Sequence, residues 1–299
     1  VTPFPKAAKR TVVGLVVVAA ALTVFGTAPT AAAGRGRAAA PAVRTGSAEA
    51  LSEPAPPINR LRALFGSENR TMPTQRRVVA VTFNAAWDVE GVDTTLDVLR
   101  RYHVPATFFL TGDFADRHPA AARAIAAAGY GIGNHSYSHP HFETLRPGER
   151  AAEVLRADHA IRTATGTTPL PFFRFPYGDT TPQEIGEVNA LGFADIEWTT
   201  DTKGYRGPRG GMSVRKVVQR ALDALRPGEI IQMHVGSDGQ STVLDADALP
   251  QVVEAIRAHG YDIVDLRGIL DPTQNTAAHG PLANATYNLA ACSVTAPRR

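Results

Sequence analysis

Two histidines four residues apart, His135 and His139, stand in the stretch Gly133-Asn134-His135-Ser136-Tyr137-Ser138-His139-Pro140. A pair of neutral imidazoles with one carboxylate and an open position makes a catalytic divalent-metal site, one that polarises a carbonyl and acidifies bound water. On a helix this spacing would put both rings on one face, but Gly, Asn, Ser and Pro favour turns. The stretch therefore predicts a rigid loop presenting two imidazoles. The carboxylate must come from elsewhere, and Asp88 is the candidate third ligand. The same Asp88 also reads as a solvated loop residue or as the N-cap of a following helix. His141, just after Pro140, reads as surface. Taken alone, the pair is weak evidence for metal ligation, since two loop histidines arise at this spacing by chance.

Three more residues carry chemistry. His234 closes the apolar run Ile230-Ile231-Gln232-Met233, where an imidazole is poised as a general acid near neutral pH or serves as a hydrogen-bonded structural group. Arg174 lies within Phe172-Phe173-Arg174-Phe175, and arginine is rarely buried unless paired. Asp201 is the expected partner, in a pair that is functional or purely structural.

The elements that must position these residues follow from periodicity and punctuation. Val78 to Phe83 is a buried-strand pattern ending at the polar stretch Asn84 to Asp88, and Val92, Leu96, Leu99 and Tyr102 mark one face of the next helix. Ala106 to Leu110 predicts a second strand, Pro119 the first turn of an Ala-rich helix ending at Gly129, and Tyr130 to Gly133 a short strand entering the histidine loop. Glu149 to Thr165 reads as a helix closed by Gly166. Phe172 to Phe175 is strand-like. Thr181-Pro182-Gln183-Glu184 opens a helix ending near Leu191, Ala194 to Trp198 reads as a strand running out to Asp201, and Ser213 caps a helix from Val214 to Leu225. Glu229 to Met233 is a strand, Leu249 to His259 a helix and Tyr261 to Leu266 the last strand. Such alternation predicts a parallel α/β architecture. In barrels of this kind the strand carboxyl ends gather the site, so Asn84, Asp88, His135, His139, Arg174, Asp201 and His234 are placed to meet.

The ends of the chain have a different character. Lys6, Lys9 and Arg10, the apolar run Thr11 to Gly26 and Ala31-Ala32-Ala33 read as an export signal or, if uncleaved, a membrane anchor over residues 1–33. Residues 34–75 read as a Pro/Ala-rich linker in which Leu61 to Phe65 can dock on the domain. The folded domain is expected over residues 76–270, with a tail of no clear pattern over 271–299. Residues 1–76 hold 10 of the 31 Lys+Arg and 3 of the 28 Asp+Glu, leaving 21 and 25, a net of −4, for the remainder. The basic balance thus belongs to the leader and linker, and nucleic acid is not an expected partner. The single cysteine, Cys292, excludes a disulfide framework.

The assembled motifs resemble the polysaccharide deacetylases, also called the NodB homology domain or carbohydrate esterase family four, over roughly Val78 to Leu266. The histidine loop, His135-Ser136-Tyr137-Ser138-His139-Pro140, is similar to the family's metal-binding His-Ser/Thr-x-x-His-Pro motif, Arg174-Phe175-Pro176-Tyr177-Gly178 to its Arg-x-Pro-x-Gly motif, and Met233-His234 to its Leu-x-His-type motif. The resemblance implies a deformed (β/α) barrel and metal-assisted removal of acetyl groups from a polysaccharide. His135 and His139 would be ligands for zinc, with cobalt or nickel as alternatives. Arg174 would orient the catalytic base, the Tyr177 N–H would face the oxyanion, and His234 would be the general acid.

Two departures accompany it. Where the family has Thr-Phe-Asp-Asp, with the first Asp as base and the second as ligand, this chain has Thr82-Phe83-Asn84-Ala85; where the family has Asp-x-x-Asp-Trp, it has Asp201-Thr202-Lys203-Gly204-Tyr205. A neutral amide cannot take a proton near pH 7, and alanine binds no metal. The expectation is an exported or envelope-tethered deacetylase of cell-wall N-acetyl amino sugars with weak, specialised or no turnover. The alternatives are an acetyl-xylan-type esterase and a glycan-binding protein that keeps the barrel and the aromatic groove.

Overall fold

The computed structural model describes residues 57–272 apart from residue 240. The expected export signal, the first part of the linker and most of the tail, Cys292 included, lie outside the described residues. Among those that are described, no helix is long and apolar enough to cross a membrane.

At the centre is β1 (Val78–Ala85), buried at every position, as a strand packed on both faces must be. The chain continues through α2 (Val92–Arg101), β2 (Thr107–Leu110), α3 (Gly112–Arg117), α4 (Pro119–Ala127), β3 (Gly131–Asn134), α5 (Pro147–Thr165), β4 (Phe172–Phe173), α6 (Pro182–Ala190), β5 (Ala194–Asp195) and β6 (Thr200–Asp201). It ends with α7 (Val214–Leu222), β7 (Glu229–His234), α8 (Leu244–Ala258), β8 (Asp262–Val264) and α9 (Arg267–Leu270). A first short helix, α1 (Pro57–Arg62), precedes the sheet.

All strand pairings are parallel, in the order β5-β4-β3-β2-β1-β7-β6, with β8 also pairing the start of β1. The outermost strands, β5 and β6, are separated by only Ile196 to Thr199, so the two ends of the sheet must approach each other. The parallel strands accordingly curl into a half-barrel with flanking helices, the deformed (β/α) barrel expected from the sequence. This also explains why one expected strand is split, whereas Phe172–Phe173 and Asp262–Val264 are simply shorter than expected. Ala194 to Trp198 does not run as a single element: Ala194–Asp195 pairs with β4, and Thr200–Asp201, a few residues on, with β7.

Several local rules hold. Thr181 and Glu184 form the reciprocal cap of α6, and Ser213 accepts the Lys216 N–H at the start of α7. Gly166 ends α5 with φ of 70°. By contrast α8 begins at Leu244, five residues earlier than the expected start at Leu249, with Asp245 and Asp247 in its first turn where the helix dipole favours acids. Upstream of the sheet, Leu61, Leu64 and Met72 are buried in an apolar cluster with Ile269 and Leu270. The docking expected of Leu61 to Phe65 is thus seen, and the folded part extends ahead of residue 76. The strand faces also need close approach at one glycine: a Cβ on Gly133 would lie 2.6 Å from Phe109 Cε1.

Candidate active site

The histidine loop leaves β3 under tight backbone control. His135 N–H donates to Leu110 O at 2.9 Å, Ser136 N–H to Asn134 Oδ1 at 2.9 Å and His139 N–H to Ser136 Oγ at 3.1 Å. Ser136 and His139 both take left-handed φ, 66° and 58°, a conformation that surrounding contacts must hold in place. Glu153 of α5 supplies much of that hold, accepting Tyr137 N–H, Ser138 N–H and the Ser138 hydroxyl at 2.9, 2.7 and 3.0 Å. The two imidazoles meet edge to face with centroids 4.8 Å apart. His135 Nδ1 lies 2.8 Å from Arg174 O; a carbonyl only accepts, so Nδ1 carries the proton and Nε2 is left as a lone pair. His135 Nε2 and His139 Nδ1 are both buried without a hydrogen-bond partner.

Burial holds the His135 pKa well below the ordinary histidine value, with neighbouring His139 adding to it, and burial lowers His139 to about 4. Both rings are therefore neutral at pH 7, the form that binds metal. Partnerless buried nitrogens are what a divalent ion would satisfy, so the pair fits a metal as two nitrogen donors. The third donor differs from expectation. Asp88 lines the same cavity, yet the only three His, Cys, Asp or Glu side chains among the described residues with ligand atoms within 4.8 Å of one another are His141, Glu143 and Asp179, all exposed. Asp88 is thus not gathered with His135 and His139 as a ligand. Its side chain packs beside Gly236, and burial, followed by the charge of Glu90, raises its pKa.

Beneath the cavity lies Arg174, fully buried. Its guanidinium donates to Asn84 Oδ1 at 2.9 Å, Thr82 Oγ1 at 3.0 Å, Ile196 O at 3.0 Å and Glu197 O at 3.2 Å. Asp201, the expected partner, is not among these acceptors. The register of β6 against β7 carries Asp201 toward His234, where its Oδ1 accepts Lys203 N–H at 2.8 Å. The acidic group that acts most strongly on Arg174 is instead Glu197, whose Oε1 accepts Phe175 N–H at 2.9 Å. Burial raises Glu197 to about 7 and Asp195 well above the carboxylate range, so the pair does not carry two full charges at neutral pH. Asn84 completes the floor by donating from Nδ2 to Gln232 Oε1 at 3.1 Å. Ala85 belongs to the apolar core, not to the cavity lining.

His234 stands across β1 from Asn84, its direct register partner, and packs 4.6 Å from the Tyr205 ring. On the opposite wall Tyr177, with φ of 64°, touches His139 edge to face at 4.7 Å and stacks on His141 at 3.8 Å. Together these residues enclose a cavity of about 520 Å³ at the strand carboxyl ends, with Trp87 at 46% and Tyr177 at 49% exposure on its walls. Asn84, Asp88, His135, His139, Tyr177, Asp201 and His234 all line it, and Arg174 supports it from below. The arrangement offers neutral nitrogen donors, an imidazole able to move a proton and aromatic faces for a sugar.

A family model described as polysaccharide deacetylase matches residues 71–196. A chitooligosaccharide deacetylase of Bradyrhizobium sp. is 30% identical over 216 residues, covering 69% of this chain and 94% of that protein. The chain belongs to the polysaccharide deacetylase family. That family is one of carbohydrate deacetylases, hydrolases acting on carbon–nitrogen bonds. Among solved structures, the Bc1960 peptidoglycan N-acetylglucosamine deacetylase aligns with a TM-score of 0.62 at 28% identity, over 67% of this chain and 91% of that one. BA3943 of Bacillus anthracis, a pseudoenzyme of carbohydrate esterase family 4, aligns with a TM-score of 0.59 at 27% identity, over 66% of each chain. A mutant of BA3943 has restored enzymatic activity.

Four residues around this polysaccharide deacetylase site escaped the sequence reading: Glu153, Glu197, Gln232 and Asp245. Only Gln232 carried a visible signal, a polar residue in an apolar strand two positions from His234 and so on the same face. The acidic three lie in helical or strand-end contexts where a carboxylate is ordinary.

Proposed function

We propose that this chain is an exported or envelope-tethered, metal-dependent deacetylase acting on N-acetyl amino sugars of a cell-wall glycan of the peptidoglycan or chitin type. The observation that carries this reading is the convergence of His135, His139 and Tyr177 opposite His234 on one aromatic-walled cavity. The named activities of the chitooligosaccharide and peptidoglycan relatives support the substrate class.

A divalent ion on His135 and His139, zinc first with cobalt or nickel as substitutes, would supply Lewis-acid polarisation of the acetyl carbonyl and a more acidic water. The chain's own groups do the rest. Trp87, Tyr177, Trp198 and Tyr205 offer ring faces to the sugar. The backbone N–H of Tyr177, in its left-handed turn, faces the developing oxyanion. His234 protonates the leaving nitrogen. Asn84, held by Arg174, orients water without taking its proton; with no carboxylate at that position, Asp88 on the cavity lining, its pKa raised by burial, is a substitute acceptor held apart from the two imidazoles.

A second reading has its own observation. Both ends of the Asn84 amide are engaged, by Arg174 and Gln232, which suits a glycan-binding protein with weakened turnover; an acetyl-xylan-type esterase, with a better leaving group, would need less of the base. Acetate release from chitooligosaccharide, peptidoglycan and acetylated xylan by the full chain with zinc, cobalt or nickel separates them. Acetate from the amino-sugar substrates above a His135→Ala control supports the deacetylase, and acetate from xylan alone supports the esterase. No release from any of them, with calorimetric binding of the same glycans, leaves the binding protein. Zinc content measured after dialysis tests the metal separately, with loss expected in both His135→Ala and His139→Ala. Antibody detection in medium and envelope fractions tests export.

A further inference from the structure

His234 Nδ1 is buried without a hydrogen-bond donor or acceptor in good geometry, and its nearest acidic oxygens are Asp245 Oδ2 at 3.4 Å and Asp201 Oδ1 at 4.0 Å. The two carboxylates are not equivalent. Asp201 is partly exposed, and its Oδ1 is already engaged by Lys203 N–H. Asp245 is fully buried. Its Oδ2 accepts the backbone N–H of His234 itself at 2.9 Å, and its Oδ1 accepts the Thr202 hydroxyl at 2.7 Å. The carboxylate is therefore fixed on both oxygens, one of them by the residue whose ring stands beside it. The backbone is also shaped around it: a Cβ on Gly204 would lie 2.1 Å from Asp245 Oδ1. A buried, doubly bonded carboxylate beside an imidazole is the arrangement that selects one ring tautomer.

We infer that Asp245, and not Asp201, is the positioning residue for His234: it keeps the proton on Nδ1 and leaves Nε2 to exchange a proton with the substrate. The inference rests on the deacetylase reading for its catalytic meaning, but the geometry can be tested without turnover. Both Asp245 oxygens act as acceptors, Oδ2 from the His234 N–H and Oδ1 from the Thr202 hydroxyl. Asp245→Ala therefore removes the acceptor beside Nδ1 and releases the ring toward the Nε2–H tautomer.

The test is long-range ¹H–¹⁵N correlation of the histidine-labelled full chain, metal-free at about pH 8.5, where an ordinary imidazole is neutral. His234 is assigned by the signal lost in His234→Gln. Wild type and Asp201→Asn should show Nδ1–H, and Asp245→Ala should show a raised Nε2–H fraction. Any other pattern overturns the inference, including a shift in Asp201→Asn or none in Asp245→Ala. Should Asp245→Ala not fold, Asp201→Asn decides: Nδ1–H retained without the other nearby carboxylate supports Asp245, and its loss overturns the proposal. Where wild type releases acetate, Asp245→Ala should lower kcat at least about tenfold with KM within about twofold. A wild type that releases none sinks the deacetylase reading and leaves the tautomer result standing.

Discussion

Asn84 Oδ1 accepts a hydrogen bond from Arg174 Nη1 at 2.9 Å, tying a fully buried guanidinium to a neutral amide. Burial lowers the Arg174 pKa only to about 10, so the cation persists and its charge is balanced from behind, by Glu197 and Asp195, and not from the cavity floor. Asn84→Asp would put a carboxylate where the guanidinium already points, supplying a proton acceptor. Turnover should rise at least about tenfold, since a positioned base contributes roughly 10²–10⁴-fold. Acetate release by the variant at saturating zinc checks this; unchanged turnover would show that the missing acceptor is not what limits the reaction.

Glu153 reaches from α5 to three donors of the histidine loop. Glu153→Ala leaves the partly buried Tyr137 N–H without its acceptor, a loss of about 1–3 kcal/mol, while the exposed Ser138 N–H turns to water. The expected outcome is a lower Tm together with zinc content below wild type, because the turn at Tyr137 and Ser138 that leads into His139 loses its acceptor. Normal zinc content at reduced Tm would confine Glu153 to stability.

Glu229, at the start of β7, is fully buried, and burial raises its pKa to about 7 against weaker opposing pulls from Thr200 and Arg226. The folded state therefore holds a proton that the unfolded chain releases near pH 4.5. This contribution to stability is complete below about pH 4.5 and is lost as pH rises through about 7. Glu229→Gln should leave the unfolding free energy near wild type at pH 5 and raise it by about 2 kcal/mol at pH 8. Denaturant unfolding at the two pH values decides it; equal effects at both would remove Glu229 as the source.

Trp87 is 46% exposed on the cavity wall and touches His139 edge to face at 4.9 Å. Stacking of a sugar on such a ring adds to binding with little role in folding. Trp87→Ala should weaken chitooligosaccharide binding by about 1–2 kcal/mol in calorimetry with Tm nearly unchanged. Full affinity in the variant would move the sugar to the Tyr205 side.

Much of the architecture could be read locally. The apolar runs that became β1 and β7, the Thr181 and Ser213 caps and the Gly166 stop depend on residues a few positions apart, and the sequence displays such relations directly. The same holds for the histidine loop, where Gly, Asn, Ser and Pro exclude a helix around His135 and His139. The motifs also placed Asn84, Tyr177 and His234 at strand ends, which is enough to bring them to one cavity once the strands are parallel. What tertiary structure alone decided is pairing across the barrel. Whether Arg174 meets Asp201 or Asn84 depends on strand register and on the split of Ala194–Asp201 between the two ends of the sheet. Whether Asp88 joins the imidazoles depends on how its loop packs beside Gly236. Whether Asp245 stands against His234 depends on where α8 begins. These contacts join residues far apart in the chain, so no local pattern encodes them; the packing of the whole sheet selects which buried polar groups find each other.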